Sequence, residues 1–372
     1  MSATRRVLRL GLLLIALAFA VGAYLYQQLE FPRPRPGAPS AEVTIFFPLG
    51  TPTTEIFRRL AGEGVLKFPR FAEAYYRIAR SASPLQAGEY RFDRPTPLSR
   101  VLDRMSRGDV VRHIIVVPEG LTAEETFALF WSRGISRPQA FRNAFHNPQL
   151  IASIGGSAPD LEGFLFPDTY AVTRSTSARQ IVEVMLANFR RHYGADLRER
   201  AHAHGLALRE TVTLASIVQK ETSLPREGAI IAGIYWNRLR RGMRLQADPT
   251  VAYALQLAGQ WGGTLYRSDY GFESDYNTYL HAGLPPGPIC NPGLAALKAA
   301  SEPAATDFLY FVADGTGGHR FSRTFEEHRD AIAATRRQRE EPPAPAQEPA
   351  PAPLPDNDNG PASTPPSSRR SS

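Results

Sequence analysis

Cysteine is almost absent from this chain of 372 residues, and its scarcity excludes several kinds of site. The single cysteine, Cys290, cannot form an intrachain disulfide, and no histidine–cysteine motif surrounds it, so we expect a small buried residue and not a nucleophile. No C-x-x-C or H-x-x-x-H spacing indicates a metal site, and no cofactor is predicted. The nucleophile elbow, the P-loop and the dinucleotide-binding glycine pattern are missing as well.

Acidic residues are fewer than basic ones, which leaves a net charge of +7. The basic residues are spread along the chain and do not cluster with aromatic residues, so we expect no nucleic-acid partner. A dispersed basic surface suits an anionic partner, such as phospholipid or an acidic cell-wall polymer.

The N-terminus predicts a membrane anchor. Arg5, Arg6 and Arg9 precede an uncharged apolar run over residues 10–26, which is near the lower length limit for a membrane-spanning helix. Positive charge before the run predicts residues 1–9 in the cytoplasm and the body outside. A small-x-small site at 18–20 offers the alternative of a cleaved signal peptide, but the apolar run continues past it, which favours an uncleaved anchor.

Residues 27–42 predict a spacer rich in proline and arginine, and residues 338–372 predict a disordered, proline-rich tail. Between them the pattern predicts an α+β fold in two parts, 43–118 and 119–337. In the first part we expect strands at 43–47 and 113–118, and helices that begin at Thr51 and Thr96 as N-caps. A glycine, Gly108, should end the second of these helices.

In the second part, Thr122 and Glu125 form a capping box that predicts a new helix. Alternation of apolar residues predicts a short strand around Phe164 and Phe166, and 308–312 predicts another strand, followed by a glycine-rich turn, a further strand and a helix. Asn291 is predicted to be a helix N-cap.

Glu221 is the most informative position. Leu214, Ile217, Val218 and Glu221 recur at i, i+3, i+4 and i+7, which places the glutamate on the apolar face of a predicted helix. Burial there would raise its pKa, as a general acid near neutral pH requires, although Lys220 and neighbouring basic residues would oppose this. The pattern alone leaves a core glutamate and a proton-transferring acid both open.

Five further residues are candidates for contacts with a substrate. Gln246 and Asp248 alternate with apolar residues on a predicted short strand, where Asp248 is equally a helix N-cap. The aromatic–amide pair Tyr276 and Asn277 is typical of carbohydrate sites, and also of a packed loop. Glu162 is the other candidate carboxylate.

Seven segments, taken together and in this order, resemble the endolytic murein transglycosylases of the YceG-like family (MltG). They are 161–170, 215–222, 237–239, 242–250, 276–279, 283–288 and 309–312. The resemblance implies a single transmembrane helix, a small LysM-like α+β subdomain at 43–118 and a YceG-like α+β catalytic domain at 119–337. It also implies an enzyme of the bacterial inner membrane, with its catalytic domain in the periplasm and penicillin-binding synthases as expected partners.

The resemblance assigns the catalytic role to Glu221. The family carries Glu-Lys-Glu-Thr where this chain has Gln219 in place of the first acid. A lytic transglycosylase cuts the bond between N-acetylmuramic acid and N-acetylglucosamine without water, and leaves a 1,6-anhydro end. Two other classes stay open: a two-carboxylate hydrolase that pairs Glu221 with Glu162 or Asp248, and a scaffold that binds glycan without chemistry.

Overall fold

The computed structural model describes residues 3–32, 42–155 and 158–340. Most of the predicted tail (341–372) and of the predicted spacer (33–41) lies outside these residues. Residues 27–30 and 338–340, predicted as spacer and tail, are helical. Helix α1 runs from Ala3 to Glu30, and most of its apolar side chains in the described part are exposed. Its segment Val7–Glu30 is long and apolar enough to cross a membrane or to serve as a signal sequence. The end of α1 is tied down, because Leu29 is buried and the Glu30 carboxylate accepts hydrogen bonds from Ser99.

A first core lies between a two-stranded antiparallel sheet and three helices. The strands pair with Val43 opposite Phe92 and Phe47 opposite Gly88. In chain order the elements are β1 (Val43–Phe47), α2 (Thr53–Gly62), α3 (Pro69–Tyr75, continued as a π-helical turn Tyr76–Arg80), β2 (Gly88–Phe92) and α4 (Leu98–Arg107).

The predictions for this region are largely confirmed. Strand β1 has the predicted bounds, and α4 ends at Gly108, whose φ of 66° suits glycine. The two N-cap assignments are wrong. The Thr51 and Thr96 hydroxyls donate to the carbonyls of Pro48 and Asp93, so neither reaches a helix N–H, and α2 and α4 begin two residues later.

A second, larger core is mostly helical. Its elements are β3 (His113–Val116), α5 (Ala123–Trp131), α6 (Pro138–Phe145), α7 (Pro148–Ala152), β4 (Thr169–Val172), α8 (Ala178–His192), α9 (Ala195–Ala203), α10 (Leu208–Glu221), α11 (Pro225–Arg240), α12 (Asp248–Leu257), α13 (Leu294–Ser301), β5 (Tyr310–Ala313), β6 (His319–Ser322) and α14 (Phe325–Glu340). Strand β3 pairs with β4, and Ile115 and Val117 enter this second core. Helix α10 lies at its centre, because residues 211–218 are all buried.

Three local predictions in this region are wrong for physical reasons. Residues 164–166 are all buried in irregular backbone and do not alternate as a strand, because they follow a turn at Gly163, which has a φ of 86°. The predicted strand through Gln246 is interrupted, because that residue has a φ of 51°. The Asn291 side chain accepts from the Leu165 N–H and donates to the Leu121 carbonyl, so α13 begins without it.

The capping box at Thr122 is confirmed, and so are the closing β5–turn–β6–helix order and the burial of Cys290. The two cores are joined through Glu89 on β2. Its buried carboxylate contacts His113 on β3 at 2.5 Å and Arg174 after β4 at 3.2 Å. Arg174 also lies over the ring of Phe46, 5.3 Å from its centroid.

Candidate active site

Helix α10 ends at Glu221, where the chain leaves the core. Leu214, Ile217 and Val218 are buried, as the predicted apolar face requires, whereas Glu221 is only partly buried. The helix ends there because Thr222 is extended, with φ −140° and ψ 139°. The last turn of a helix carries partial negative charge from its free carbonyls, which disfavours an ionised carboxylate. The position itself therefore favours a protonated glutamate.

Burial raises the pKa of Glu221 to about 7. The hydroxyl of Tyr235 on α11 donates to Glu221 Oε1 at 2.6 Å and opposes this rise. The negative charge of Asp248 raises the pKa further, and the positive charge of Arg238 lowers it. The pKa of Glu221 is thus set by groups distant in sequence and not by its neighbour Lys220. The ammonium of Lys220 contacts the carbonyl of Gly120 instead.

Arg238 joins three chain segments around Glu221. It is buried, and its guanidinium donates to the carbonyls of Leu309 and Leu245, each at 2.7 Å. It also approaches Gln246 Oε1 at 3.4 Å and lies over the ring of Tyr310, 5.1 Å from its centroid. A buried guanidinium with several carbonyl partners fixes its neighbours, so Arg238 holds the segments before α12 and at β5 in place beside Glu221.

Asp248 opens helix α12, but it does not cap it. Its carboxylate accepts from Tyr279 at 2.5 Å and from Tyr270 at 3.3 Å, and no side-chain bond to the helix is present. The N-cap prediction is therefore wrong, because two tyrosine hydroxyls compete successfully for the carboxylate. The Asp248 carboxylate therefore lies beside Glu221, where its charge acts on the pKa of that residue.

These residues line one open cavity of about 420 Å³. Its walls are formed by the C-terminal end of α10, the N-terminal end of α12, helix α11, the β5–β6 hairpin and helix α14. The lining residues are Glu221, Arg238, Leu245, Gln246, Asp248, Tyr279, Tyr310, Phe311, Val312, Ala313, His319, Phe325 and His328. Of the predicted site residues, the structure brings Glu221, Gln246 and Asp248 together here.

Glu162 lies outside this cavity. It is buried, and both carboxylate oxygens accept from the Ala123 N–H, at 3.0 and 3.1 Å, at the start of α5. Tyr253 and Asn291 approach it at 3.5 Å. Burial raises the pKa of Glu162 to about 8. The contacts are those of a group that joins α5 to the segment before α13.

Tyr276 and Asn277 are also outside the lining of the cavity. Asn277 is fully buried and donates to the carbonyls of Tyr270 and Phe272, so it fixes the loop that carries Tyr270 and Tyr279. The ring of Tyr276 packs against that of Tyr253, with centroids 5.0 Å apart, on the side of Glu162. Both residues support the site at a distance.

Gln219 points away from Glu221. Its side-chain oxygen accepts from the Gly293 N–H at 2.9 Å, at the start of α13. The carboxylate of Glu119 lies so close to Gly293 that a Cβ there would meet it at about 2 Å. The neutral amide of Gln219 therefore suits this position, because a carboxylate here would be repelled by the carboxylate of Glu119.

Sequence analysis missed Tyr235, Arg238, Tyr279 and His319 as site residues. Arg238 and Tyr279 fall inside segments that carry the family resemblance, and Tyr235 and Arg238 share one face of α11, three residues apart. Those two signals would have identified three of the four. Within the described ranges, no cluster of three or more histidine, cysteine or acidic side chains forms a metal site.

The comparisons with known proteins agree with one another. The YceG-like family matches residues 45–334. An endolytic murein transglycosylase of Bacillus subtilis (strain 168) is 29% identical over 326 residues, which cover 83% of this chain and 89% of the relative. An endolytic murein transglycosylase of Streptococcus pneumoniae (strain D39) is 28% identical, and the match covers 87% of this chain but 64% of that longer protein.

A yceG-like protein from Listeria monocytogenes, solved by crystallography at 2.6 Å, has a similar fold. It superposes with a TM-score of 0.52 and 29% sequence identity, over 78% of this chain and 99% of that one. Since the family match spans most of the chain, this protein belongs to the YceG-like family.

Proposed function

We propose that this protein is an endolytic peptidoglycan lytic transglycosylase, and that Glu221 is its catalytic acid and base. One observation carries the proposal: an accessible carboxyl group with a pKa of about 7 lies in the cavity, hydrogen-bonded by Tyr235. Near neutral pH such a group is available in both protonation states. The names of the relatives in Bacillus and Streptococcus support the substrate class.

In the first half of the reaction, protonated Glu221 donates to the glycosidic oxygen between N-acetylmuramic acid and N-acetylglucosamine. The bond from C1 to that oxygen breaks, and the N-acetylglucosamine side leaves with the proton. Positive charge then develops at C1. Asp248, a carboxylate in the same cavity, is placed to stabilise this charge, and Gln246 offers a polar side chain beside it.

In the second half, the C6 hydroxyl of the same muramic acid attacks C1. Its proton returns to the Glu221 carboxylate, so no water is consumed and the acid is regenerated. The product carries a 1,6-anhydro end. The attacking hydroxyl belongs to the substrate and is already close, which explains how one proton-transferring carboxylate can suffice.

The architecture supports several accompanying proposals. We place the protein in the bacterial inner membrane, with α1 as a single span, the N-terminus in the cytoplasm and the cavity in the periplasm. We propose that the β1–α2–α3–β2 unit is LysM-like, because two helices link the two strands of one antiparallel sheet. Cleavage of nascent strands would end their elongation, and penicillin-binding synthases are the expected partners.

The decisive experiment compares wild-type protein with Glu221→Gln on purified sacculi and on uncrosslinked glycan. Mass spectrometry of the released fragments should show 1,6-anhydromuramoyl ends for the wild type and none above background for the variant. Anhydro ends produced by the variant at the wild-type rate would overturn the assignment of Glu221.

A two-carboxylate hydrolase is the second candidate, because Asp248 shares the cavity with Glu221. A hydrolase would release reducing ends without the anhydro ring. The pairing of Glu221 with Glu162 receives no support from the structure, since Glu162 contacts the start of α5. A scaffold without activity would bind glycan and release no fragments.

A further inference from the structure

A carboxylate on α11, in addition to Glu221 on α10, binds a histidine at the cavity. Glu227 lies in the first turn of α11 and is buried. Its Oε2 is 2.7 Å from Nδ1 of His319, and its Oε1 accepts from the backbone N–H of His319 at 3.3 Å. One carboxylate thus holds both the ring and the main chain of the same residue, at the start of β6.

The turn before His319 is built for this contact. A Cβ on Gly318 would meet both Glu227 Oε1 and Asp314 Oδ2 at 2.9 Å, so only glycine lets the backbone come this close. The ring of Phe311 meets the imidazole edge-on, with centroids 5.3 Å apart. The imidazole is therefore held in one orientation by a charged partner on one side and an aromatic ring on another.

The carboxylate also selects the tautomer. Because Glu227 accepts from Nδ1–H, the neutral ring has its lone pair on Nε2. His319 lines the same cavity as Glu221, although its side chain is only 13% exposed. Glu227, Tyr235 and Arg238 are spaced by eight and three residues, which places all three toward one side of α11. That side of α11 therefore carries three residues that line the cavity or bond a residue lining it.

We infer that His319 is a substrate-contacting residue, with Nε2 accepting a hydrogen bond from a hydroxyl or acetamido N–H of the sugar next to Glu221, and that Glu227 is its positioning residue. This rests on the proposed function. An N-acetylated glycan presents many such donors, and an acceptor on a fixed ring selects among them by position. The benefit should appear in substrate binding more than in the chemical step.

Two substitutions separate this role from that of a structural anchor. In His319→Asn the amide reaches about as far as Nδ1, so the bond to Glu227 is kept and the cavity atom is lost. In His319→Gln the amide reaches about as far as Nε2, so a polar atom remains in the cavity and the bond to Glu227 is lost. Glu227→Gln keeps an acceptor for Nδ1–H, whereas Glu227→Ala removes it.

Each variant is measured as the full chain in two ways: KM and kcat on uncrosslinked glycan, and binding of a glycan fragment by the same variant in a Glu221→Gln background. His319→Asn should raise KM about tenfold, change kcat less than threefold and weaken fragment binding about tenfold, as expected for one lost polar contact. Glu227→Ala should show the same pattern, with Glu227→Gln closer to wild type. His202→Asn, at an exposed position on α9, is the matched control.

The inference is overturned if His319→Asn keeps wild-type KM and fragment binding. A purely structural role would also give the reverse order, with His319→Gln the more damaging variant and its melting temperature lowered. Because fragment binding does not depend on turnover, a failure here is distinct from a failure of the proposed function, which would appear as missing anhydro products from the wild-type protein.

Discussion

Glu162 and Glu221 are both glutamates whose pKa is raised by burial, to about 8 and about 7, yet their surroundings differ in kind. Glu162 is enclosed and bonds a backbone N–H at the start of α5. Glu221 ends its helix at an open cavity and is bonded by one tyrosine hydroxyl. The comparison shows that a raised pKa alone does not identify a catalytic acid. Access for a substrate is what separates these two residues.

The strongest test of this comparison is the activity of the two isosteric variants. Glu221→Gln should lower kcat by roughly 10²–10⁴-fold, because it removes a group that transfers protons. Glu162→Gln should keep activity within a fewfold of wild type. Release of anhydro-ended fragments from sacculi measures both. Equal losses in the two variants would mean that Glu162 takes part in the chemistry.

A smaller effect is expected at Asp248. Asp248→Asn should lower kcat by about tenfold to a hundredfold, since it removes a charge that stabilises the developing cation. It should also move the Glu221 pKa downward, because the negative charge that raises it is gone. A pH–rate profile of the variant measures both changes, and the limb that reports protonated Glu221 should shift to lower pH. An unchanged profile would mean that the charge of Asp248 does not affect the pKa of Glu221.

For stability, we expect substitution of Glu162 to have a larger effect than substitution of Glu221. Glu162→Ala leaves the Ala123 N–H without its partner and opens a cavity, so it should reduce the free energy of unfolding by about 1–3 kcal/mol. Denaturant unfolding of the variant, beside Glu162→Gln and Glu221→Gln, measures this. If Glu162→Ala is as stable as wild type, its carboxylate does not support α5.

The pH dependence of stability gives an expected signal no larger than that of Glu162→Ala. The folded pKa of Glu221, about 7, lies above its ordinary value of 4.5, so the folded protein binds this proton more tightly. Its contribution is complete below pH 4.5 and is lost as pH rises to about 7, which amounts to about 1–3 kcal/mol. Glu221→Gln should therefore be stabilised relative to wild type at pH 8 and not at pH 4. Thermal unfolding at both values tests this, and a constant difference would contradict it.

The sequence was sufficient to place Glu221, because a 3.6-residue period specifies a helix face without any knowledge of the partner elements. The same logic located β1 and the apolar face of α4. Family resemblance then selected the catalytic interpretation. The catalytic interpretation stays a prediction, whereas the placements of α10, β1 and α4 are confirmed. These three placements share one property: each depends on residues within two turns of one another.

The failure at the cavity depends on a distant partner. Asp248 was expected to cap its own helix, but Tyr279, 31 residues later, binds its carboxylate at 2.5 Å. Tyr276 and Asn277 have side chains typical of sugar contacts and also make contacts within the protein; their contact with a substrate stays a prediction. Tyr235 has only the indirect signal of sharing one face of α11 with Arg238, because its role is set by the packing of α11 against α10.

The buried Glu89 has a further consequence for where the enzyme can work. Leu29 and Glu30 attach α1 to the first core, and Glu89 attaches that core to the second through His113 and Arg174. With α1 inserted in a membrane, these contacts would set the distance between the lipid surface and the cavity.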